Sequence, residues 1–223
     1  MKKREAMKSN VLLGLSFLLM MAALYLVFVY VLTEKEMGIV QRVFYLMVPV
    51  AWLSLLSFII VFVGSIQYLR KRESRWDILA HSSAEVGIIF TTLTLITGAI
   101  WAKPIWGVWW TWEPRLTATL VLWLIYLAYL MVRSFAEEES RGARFAAVVG
   151  IIGFIDIPII ALATTLWKGM HPSPIIFEGG LAPSMLLTLL VSIAAFTVLY
   201  FCLLGRRTEL REAEAEIRKL NQD

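Results

Sequence analysis

Residues 11–32 read VLLGLSFLLMMAALYLVFVYVL, a run of 22 residues without a charged side chain. About 20 apolar residues in a helix span the roughly 30 Å hydrocarbon core of a bilayer. The run is too long for the apolar core of a signal peptide, and no small-residue cleavage site follows it. We therefore expect a transmembrane helix that is retained in the protein.

Five further segments have the same character. They cover residues 47–69, 78–101, 115–132, 145–167 and 183–204. Over the 223 residues, 59% are hydrophobic and 17% are charged, against about 45–50% and about 25% in soluble domains. This composition excludes an ordinary water-soluble enzyme. The single cysteine, Cys202, excludes an intrachain disulfide and a CxxCH haem-attachment motif, and the sequence contains no GxxxxGK[ST] phosphate loop. The sequence predicts an all-α, polytopic membrane protein with six spans.

The basic residues predict how the spans are oriented. Sixteen of the 21 Lys and Arg residues fall in the N-terminus, in loops 70–77 and 133–144, and after residue 204. Short cytoplasmic loops carry this excess, so both termini are predicted to be cytoplasmic. The net charge of +4 fits basic loops beside anionic lipid and requires no nucleic-acid partner.

The sequence divides into a six-span membrane domain, residues 1–204, and a charged tail, residues 205–223. In the tail, Leu210, Ala213, Ile217 and Leu220 recur at helical spacing among mixed charges. This pattern is typical of a solvated extension of the sixth span, and it also fits a helix that docks a cytoplasmic partner.

The predicted outer loop between the third and fourth spans is rich in tryptophan. Residues 101–117 read WAKPIWGVWWTWEPRLT, and five of the nine tryptophans lie within twelve residues of one another: Trp101, Trp106, Trp109, Trp110 and Trp112. An interfacial aromatic belt distributes such residues over all helix ends, whereas these are concentrated in one loop. A flat apolar ligand with anionic groups would suit this loop, and a belt or a packed plug remains the alternative.

Two more stretches are predicted on the same side. One is RVFYLMVPVAW, residues 42–52, which contains Met47 and ends in Trp52. The other is LWKGMHPSP, residues 166–174, which contains His171. Alone, Met47 is typical of a packing residue and His171 of a hydrogen-bonded surface residue. Beside a tryptophan loop, His171 becomes a candidate axial ligand through its neutral imidazole.

These stretches together resemble the CcmC-type haem-handling proteins of cytochrome c maturation, within the wider WWD-domain group. WGVWWTWEPRLT (106–117) resembles the family signature WGxWWxWDxRLT, and RVFYLMVPVAW resembles the first outer loop, R-[IV]-x-Y-x-H-V-P-x-A. GFIDIPII (153–160) followed by LWKGMH (166–171) resembles the fifth helix and third outer loop. The matches are collinear over roughly residues 38–175.

The resemblance implies a protein of the inner (cytoplasmic) membrane that is not an enzyme and binds b-type haem transiently and non-covalently on its periplasmic, extracytoplasmic side. Such proteins present haem to a small chaperone of the CcmE type. Their other partners are the ATPase and permease subunits of an ABC transporter, of the CcmA and CcmB types, and a single-span helper of the CcmD type. In the family, the tryptophan loop cradles haem, and a histidine from each flanking outer loop ligates the iron.

These two ligand positions correspond here to Met47 and His171. Met47 stands where the family has a histidine, and three interpretations are possible: His/Met ligation of the iron, a second ligand supplied by a partner, or loss of haem binding. The other histidine, His81, is predicted near the cytoplasmic start of the third span, too far away to serve. Glu113 replaces the aspartate of the signature and keeps its carboxylate.

The haem propionates require cations. Arg115, Lys103 and Arg42 are the basic residues near the outer stretches. Arginine can hold a carboxylate in a bidentate manner, which favours Arg115. Interfacial snorkelling is the alternative for the other two.

Three polar residues are predicted inside the spans. His81 and Glu85 are four residues apart and share a helix face, and Asp156 lies near the middle of the fifth span, where Pro158 should bend the helix. They fit either a polar track toward the haem site or a packing cluster satisfied by serine and threonine, which we favour.

Two other functions fit the pattern less well. A component of a CcsA-like cytochrome c haem lyase would share the tryptophan signature, but that class predicts more spans and more outer histidines. A structural permease subunit that binds no haem would fit the change at Met47.

Overall fold

The computed structural model describes residues 2–35, 37–136, 138–166 and 180–220, with side chains described from Asn10 onward except at 164–166 and 219. These residues form seven α-helices. The helices are α1 (Lys2–Tyr25), which continues as a π-helical turn (Leu26–Tyr30), α2 (Gln41–Lys71), α3 (Ser74–Trp106), α4 (Pro114–Ser134), α5 (Glu139–Gly153), α6 (Asp156–Leu166) and α7 (Pro183–Leu220). Within the described residues there is no β-strand, only an isolated bridge between Glu34 and Gly38.

Six segments are long and apolar enough to cross a membrane, which confirms the predicted number of spans. They are Asn10–Tyr30, Gln41–Lys71, Ser74–Trp106, Pro114–Ser134, Glu139–Ala163 and Pro183–Arg218. The helices extend beyond most of the predicted spans because their polar ends continue the helix past the hydrocarbon core. The predicted loop 70–77 is thereby reduced to Arg72 and Glu73, with Arg72 in the left-handed region at φ 57°.

Chain direction divides the bundle into two ends. One end carries the tryptophan loop, and we call it the loop end. The other end carries the α2–α3 and α4–α5 turns and the C-terminal part of α7, and we call it the tail end.

α2 and α3 form a closely packed antiparallel hairpin. Gly64 lies against Ala80, and Gly87 lies against Ser57 and Phe58. Small residues allow helix backbones in a membrane to approach closely. These contacts also fix the register, in which residue 57 lies opposite 87 and residue 64 opposite 80.

This close approach makes Gly87 sensitive to substitution. A Cβ atom added there would lie 2.8 Å from Ser57 Cβ and 3.1 Å from Phe58 Cε1. We expect Gly87→Ala to lower the free energy of unfolding by about 1–3 kcal/mol, since overpacking must displace the hairpin. Unfolding in mixed micelles with increasing sodium dodecyl sulfate would measure this loss. Gly98→Ala is the matched control, because its added Cβ meets no described atom within 4 Å; equal losses in both variants would contradict the packing argument.

Serine and threonine hydroxyls join the helices inside the bundle. Ser54 Oγ and Thr91 Oγ1 lie 2.6 Å apart across α2 and α3. Ser83 Oγ donates to the Ser57 carbonyl at 2.7 Å and lies 2.7 Å from Tyr200 Oη on α7. Hydrogen bonds of this kind are typical of helix association in a bilayer, and here they tie α7 to the hairpin.

The fifth span is interrupted near its middle, as Pro158 predicts. α5 ends at Gly153 and α6 begins at Asp156. The intervening turn is tightened by short-range bonds, including Ile157 N–H to the Phe154 carbonyl at 3.1 Å. Pro158 has no N–H to donate to residue 154, so the regular helix cannot continue through this point.

Candidate functional site

The tryptophan loop is a short connection between two spans. Gly107 ends α3 in the left-handed region at φ 77°, which glycine adopts without a steric penalty. Lys103 Nζ donates to the Gly107 carbonyl at 2.9 Å. Residues 108–113 follow, and Pro114 begins α4 after Glu113 in an extended conformation. Two helix ends therefore hold a loop of about six residues in place.

The five tryptophans of this region divide into a packed set and an exposed set. Trp101 is buried and meets Trp106 edge to face, with ring centroids 5.4 Å apart. Trp110 and Trp112 form a second edge-to-face pair at 5.8 Å. Trp109 and Trp112 are 59% and 76% exposed. Trp109 and Trp112 therefore present indole rings at the loop end, and Trp112 also contacts Trp110.

Buried polar atoms accumulate around the same loop. Four of them find no hydrogen-bond partner among the described residues: Trp101 Nε1, Trp110 Nε1, Thr111 Oγ1 and Thr117 Oγ1. A buried donor left without a partner costs about 1–3 kcal/mol, so native proteins rarely keep several in one place. The exposed indoles and these buried polar atoms therefore lie in the loop and in the helix turns that flank it.

The three candidate cations differ in how they are used. Lys103 caps α3 through Gly107, and its Nζ lies 6.0 Å from the centroid of the Trp109 ring. Arg115 lies in the first turn of α4 and Arg42 in the first turn of α2, both half-buried. Arg42 Nε is buried with no hydrogen-bond partner among the described residues. The two arginines are therefore better placed than Lys103 to take an anionic group.

Met47 lies on α2 at the loop end. The hairpin register places it opposite residue 97 of α3, which is about one helical turn, or roughly 6 Å, below Trp101. The Met47 side chain is half-buried. This position places the Met47 thioether at the same end of the bundle as the tryptophan loop.

Trp52 has a different setting from the loop tryptophans. Its side chain is 40% exposed, and its Nε1 donates to Thr197 Oγ1 on α7 at 3.2 Å. It lies more than one turn deeper in the membrane than Met47. This contact joins α2 to α7, and the structure does not pair Trp52 with the loop.

His171 lies outside the described residues, as does the whole stretch 167–179. Its role as an axial ligand therefore stays a prediction. His81 is described and lies 20 residues before Trp101 on the same helix, about 30 Å away. That distance agrees with the expectation that His81 does not serve the tryptophan loop.

His81 and Glu85 meet charged partners at the tail end, and these partners differ from our expectation. Asp156 is not among them, and its Oδ2 is buried without a hydrogen-bond partner in the described part of the chain. Glu85 accepts hydrogen bonds from Arg207 at 2.6 and 3.0 Å, and from Arg211 at 2.6 and 3.1 Å. Arg211 Nη2 also lies 2.7 Å from His81 Nε2. The favoured packing cluster satisfied by serine and threonine is thus wrong for Glu85. Two arginines of α7 neutralise it instead.

A second ion pair at this end was missed by the sequence reasoning. Arg133 donates to both carboxylate oxygens of Asp77, at 2.5 and 2.7 Å, and both side chains are nearly buried. The pair joins α3 to α4. In the described part of the chain, no group of three or more His, Cys, Asp or Glu residues could hold a metal ion.

Comparison with known proteins agrees with the tryptophan-loop pattern. The profile of the CcmC family, described as Heme exporter protein C, matches residues 3–222. The chain belongs to this family. Membership implies a role in haem handling for cytochrome c maturation, and the family name describes a membrane protein that handles haem rather than an enzyme.

Individual relatives come from bacteria and plants. Heme exporter protein C of Bradyrhizobium diazoefficiens is 36% identical over 173 residues, covering 76% of this chain and 66% of the relative. A putative cytochrome c biosynthesis ccmC-like mitochondrial protein of Marchantia polymorpha is 33% identical over 204 residues, covering 89% and 87%. Heme exporter protein C of Escherichia coli K12 is 29% identical over 166 residues, covering 74% and 68%. The bacterial relatives point to an inner membrane for this polytopic chain.

Proposed function

We propose that this chain binds haem at the loop end of its bundle and presents it to a haem chaperone during cytochrome c maturation. The observation that carries the proposal is that two exposed indoles, Trp109 and Trp112, occur in the same loop region as buried donors that have no described hydrogen-bond partner. Porphyrin is flat and apolar over most of its surface and carries two carboxylates, so it matches both features. Arg115 and Arg42 would take the propionates, with Lys103 and Glu113 at the edge of the site.

The loop end faces the periplasm in this proposal. The excess of Lys and Arg in the predicted cytoplasmic segments supports it, and so does the alternation of helix direction through the six spans. Haem would then be held where a chaperone outside the cytoplasm can reach it. The exposed indoles leave one face of a bound porphyrin open, which suits handover.

His171 and Met47 are the proposed axial ligands. A histidine and methionine pair raises the reduction potential and favours ferrous haem. We expect purified wild-type protein with added haem to give a low-spin absorbance spectrum. His171→Ala should lose this signal, and Met47→Ala should convert it to a high-spin signal, because each substitution removes one ligand from the iron.

The outcomes of this titration separate the three readings of Met47. A wild-type spectrum that is five-coordinate and unaffected by Met47→Ala would place the second ligand on a partner. No specific haem binding by the wild type would overturn the proposed function and favour a structural permease subunit.

The partners in this proposal are the CcmE-type chaperone, the CcmA- and CcmB-type transporter subunits and the CcmD-type helper. Transfer is the activity that distinguishes a presenting protein from a haem lyase. Incubating haem-loaded chain with an apo-chaperone should move the haem absorbance to the chaperone fraction. Direct attachment of haem to a cysteine-bearing apocytochrome, with no chaperone present, would instead support the lyase.

A further inference from the structure

The last helix is much longer than a membrane requires. α7 contains 38 residues, which corresponds to about 57 Å at 1.5 Å per residue, against roughly 30 Å of hydrocarbon. Arg207 and Arg211 reach Glu85 and His81 in the first turns of the third span, and such charges are costly in hydrocarbon unless they are paired. The helix therefore leaves the hydrocarbon near Arg211, and residues 212–220 extend past it for more than two turns.

The last turns of α7 carry an exposed apolar seam, formed by Leu210, Ala213, Ile217 and Leu220. Leu210, Ile217 and Leu220 are 57%, 58% and 71% exposed, and Ala213 is also exposed. The steps along the seam are three, four and three residues, which is the a/d spacing of a coiled coil. Described residues of this chain leave the seam uncovered.

The neighbouring face of the same segment is fixed to the bundle. Arg207 and Arg211 bind Glu85 on α3, and Arg218 Nη1 lies 3.6 Å from Glu139 Oε1 on α5. These contacts set the rotation of the helix, so the seam points away from α3 and α5. A helix already held in one orientation loses little conformational entropy when a partner binds it.

The e and g positions beside the seam hold three acids and Arg207, and Glu209 and Glu214 form solvent-accessible ion pairs with Arg206 and Arg207 at 3.3 and 3.6 Å. Such pairs contribute little, so cations of a partner can replace them. With Leu210 and Ile217 at a positions, Glu209 and Glu216 occupy g positions and Glu214 an e position. In a parallel pair of two copies Glu209 would face Glu214, and in an antiparallel pair the g-position glutamates would face each other. Like charges at these positions oppose pairing of two copies.

We propose that residues 207–220 form a docking helix for a partner helix with an apolar a/d seam and Lys or Arg at its e and g positions. The partner lies on the same side of the membrane as the C-terminus. The proposal concerns the tail end of the bundle and does not depend on haem binding at the loop end.

The test uses the full chain in nanodiscs of zwitterionic lipid and two labelled two-heptad peptides. Both peptides carry leucine at a and d; one carries lysine and the other glutamate at e and g. We expect the lysine peptide to bind at least tenfold more tightly by fluorescence anisotropy, with empty nanodiscs as the blank. Leu210→Asp/Ile217→Asp should remove this binding, and circular dichroism would verify that the exposed substitutions leave the helices intact.

A charge exchange gives the sharpest control. Glu209→Lys/Glu216→Lys keeps the seam and should reverse the preference, so that the glutamate peptide binds more tightly. Equal binding of both peptides to the wild type, or binding that survives Leu210→Asp/Ile217→Asp, would overturn the proposal.

Discussion

Arg133→Ala should lower the free energy of unfolding by about 3–5 kcal/mol. Arg133 holds both carboxylate oxygens of Asp77, and the two side chains are only 10% and 13% exposed. Removing the guanidinium leaves a nearly buried carboxylate without its counter-ion, which costs more than the lost attraction alone. The measurement is unfolding in mixed micelles with increasing sodium dodecyl sulfate, followed by circular dichroism.

Two controls separate burial from charge. Arg206→Ala breaks an exposed pair with Glu209, whose side chains are 46% and 60% exposed, and should cost less than about 1 kcal/mol. The double variant Asp77→Ala/Arg133→Ala should recover part of the loss because no unpaired charge remains. An Arg133→Ala protein as stable as the Arg206→Ala protein would show that the α3–α4 pair contributes little.

Trp109→Ala/Trp112→Ala should weaken haem binding by about a hundredfold or more. These two rings are the exposed part of the loop, and truncating an aromatic anchor at the centre of an interface costs about 2 kcal/mol or more. Since each factor of ten corresponds to about 1.4 kcal/mol, two such losses exceed a hundredfold. Because both side chains project from the loop, the variant should keep the wild-type helical signal. Equilibrium haem titration by absorbance measures the effect.

Trp76→Ala is the matched indole truncation for this comparison. Trp76 lies at the tail end, where Lys71 and Arg75 approach its ring at 5.5 and 5.3 Å. Its loss should leave haem affinity unchanged. Equal weakening in the two variants would mean that haem associates with tryptophan or detergent non-specifically.

Much of the fold follows from local sequence. Long uncharged runs specify spans because the bilayer provides no hydrogen-bond partners for an unpaired backbone, so the number of spans can be read directly. The interruption of the fifth span follows from the missing N–H of Pro158. The exact helix ends were less predictable. α3 continues through Pro104 to Trp106, because at the membrane boundary water can satisfy the backbone groups at a helix end, so hydropathy does not mark where the helix stops.

The partners of buried charges could not be read from local sequence. Glu85 and Arg207 are separated by 122 residues, and nothing near Glu85 indicates that α7 reaches it. One signal was present, because His81/Glu85 and Arg207/Arg211 are both spaced four residues apart, so that a helix face with an acid could meet a helix face with two cations. The charged tail could have been paired with the third span on that basis.

The sequence predicted the tryptophan loop as a site, but it did not show which of its tryptophans are buried and which are exposed. Sequence spacing marks all five tryptophans equally, whereas packing buries Trp101 and exposes Trp109 and Trp112. That division depends on the left-handed turn at Gly107 and on how the two helix ends meet. It decides which rings can touch a ligand.

A structure of the haem-loaded chain in nanodiscs, determined with an antibody fragment as a fiducial, would show where haem binds. We expect porphyrin density against Trp109 and Trp112 at the loop end, with propionates toward Arg115 or Arg42 and the iron beside Met47 or His171. Porphyrin density at the tail end, near Glu85 and Arg211, would contradict this expectation.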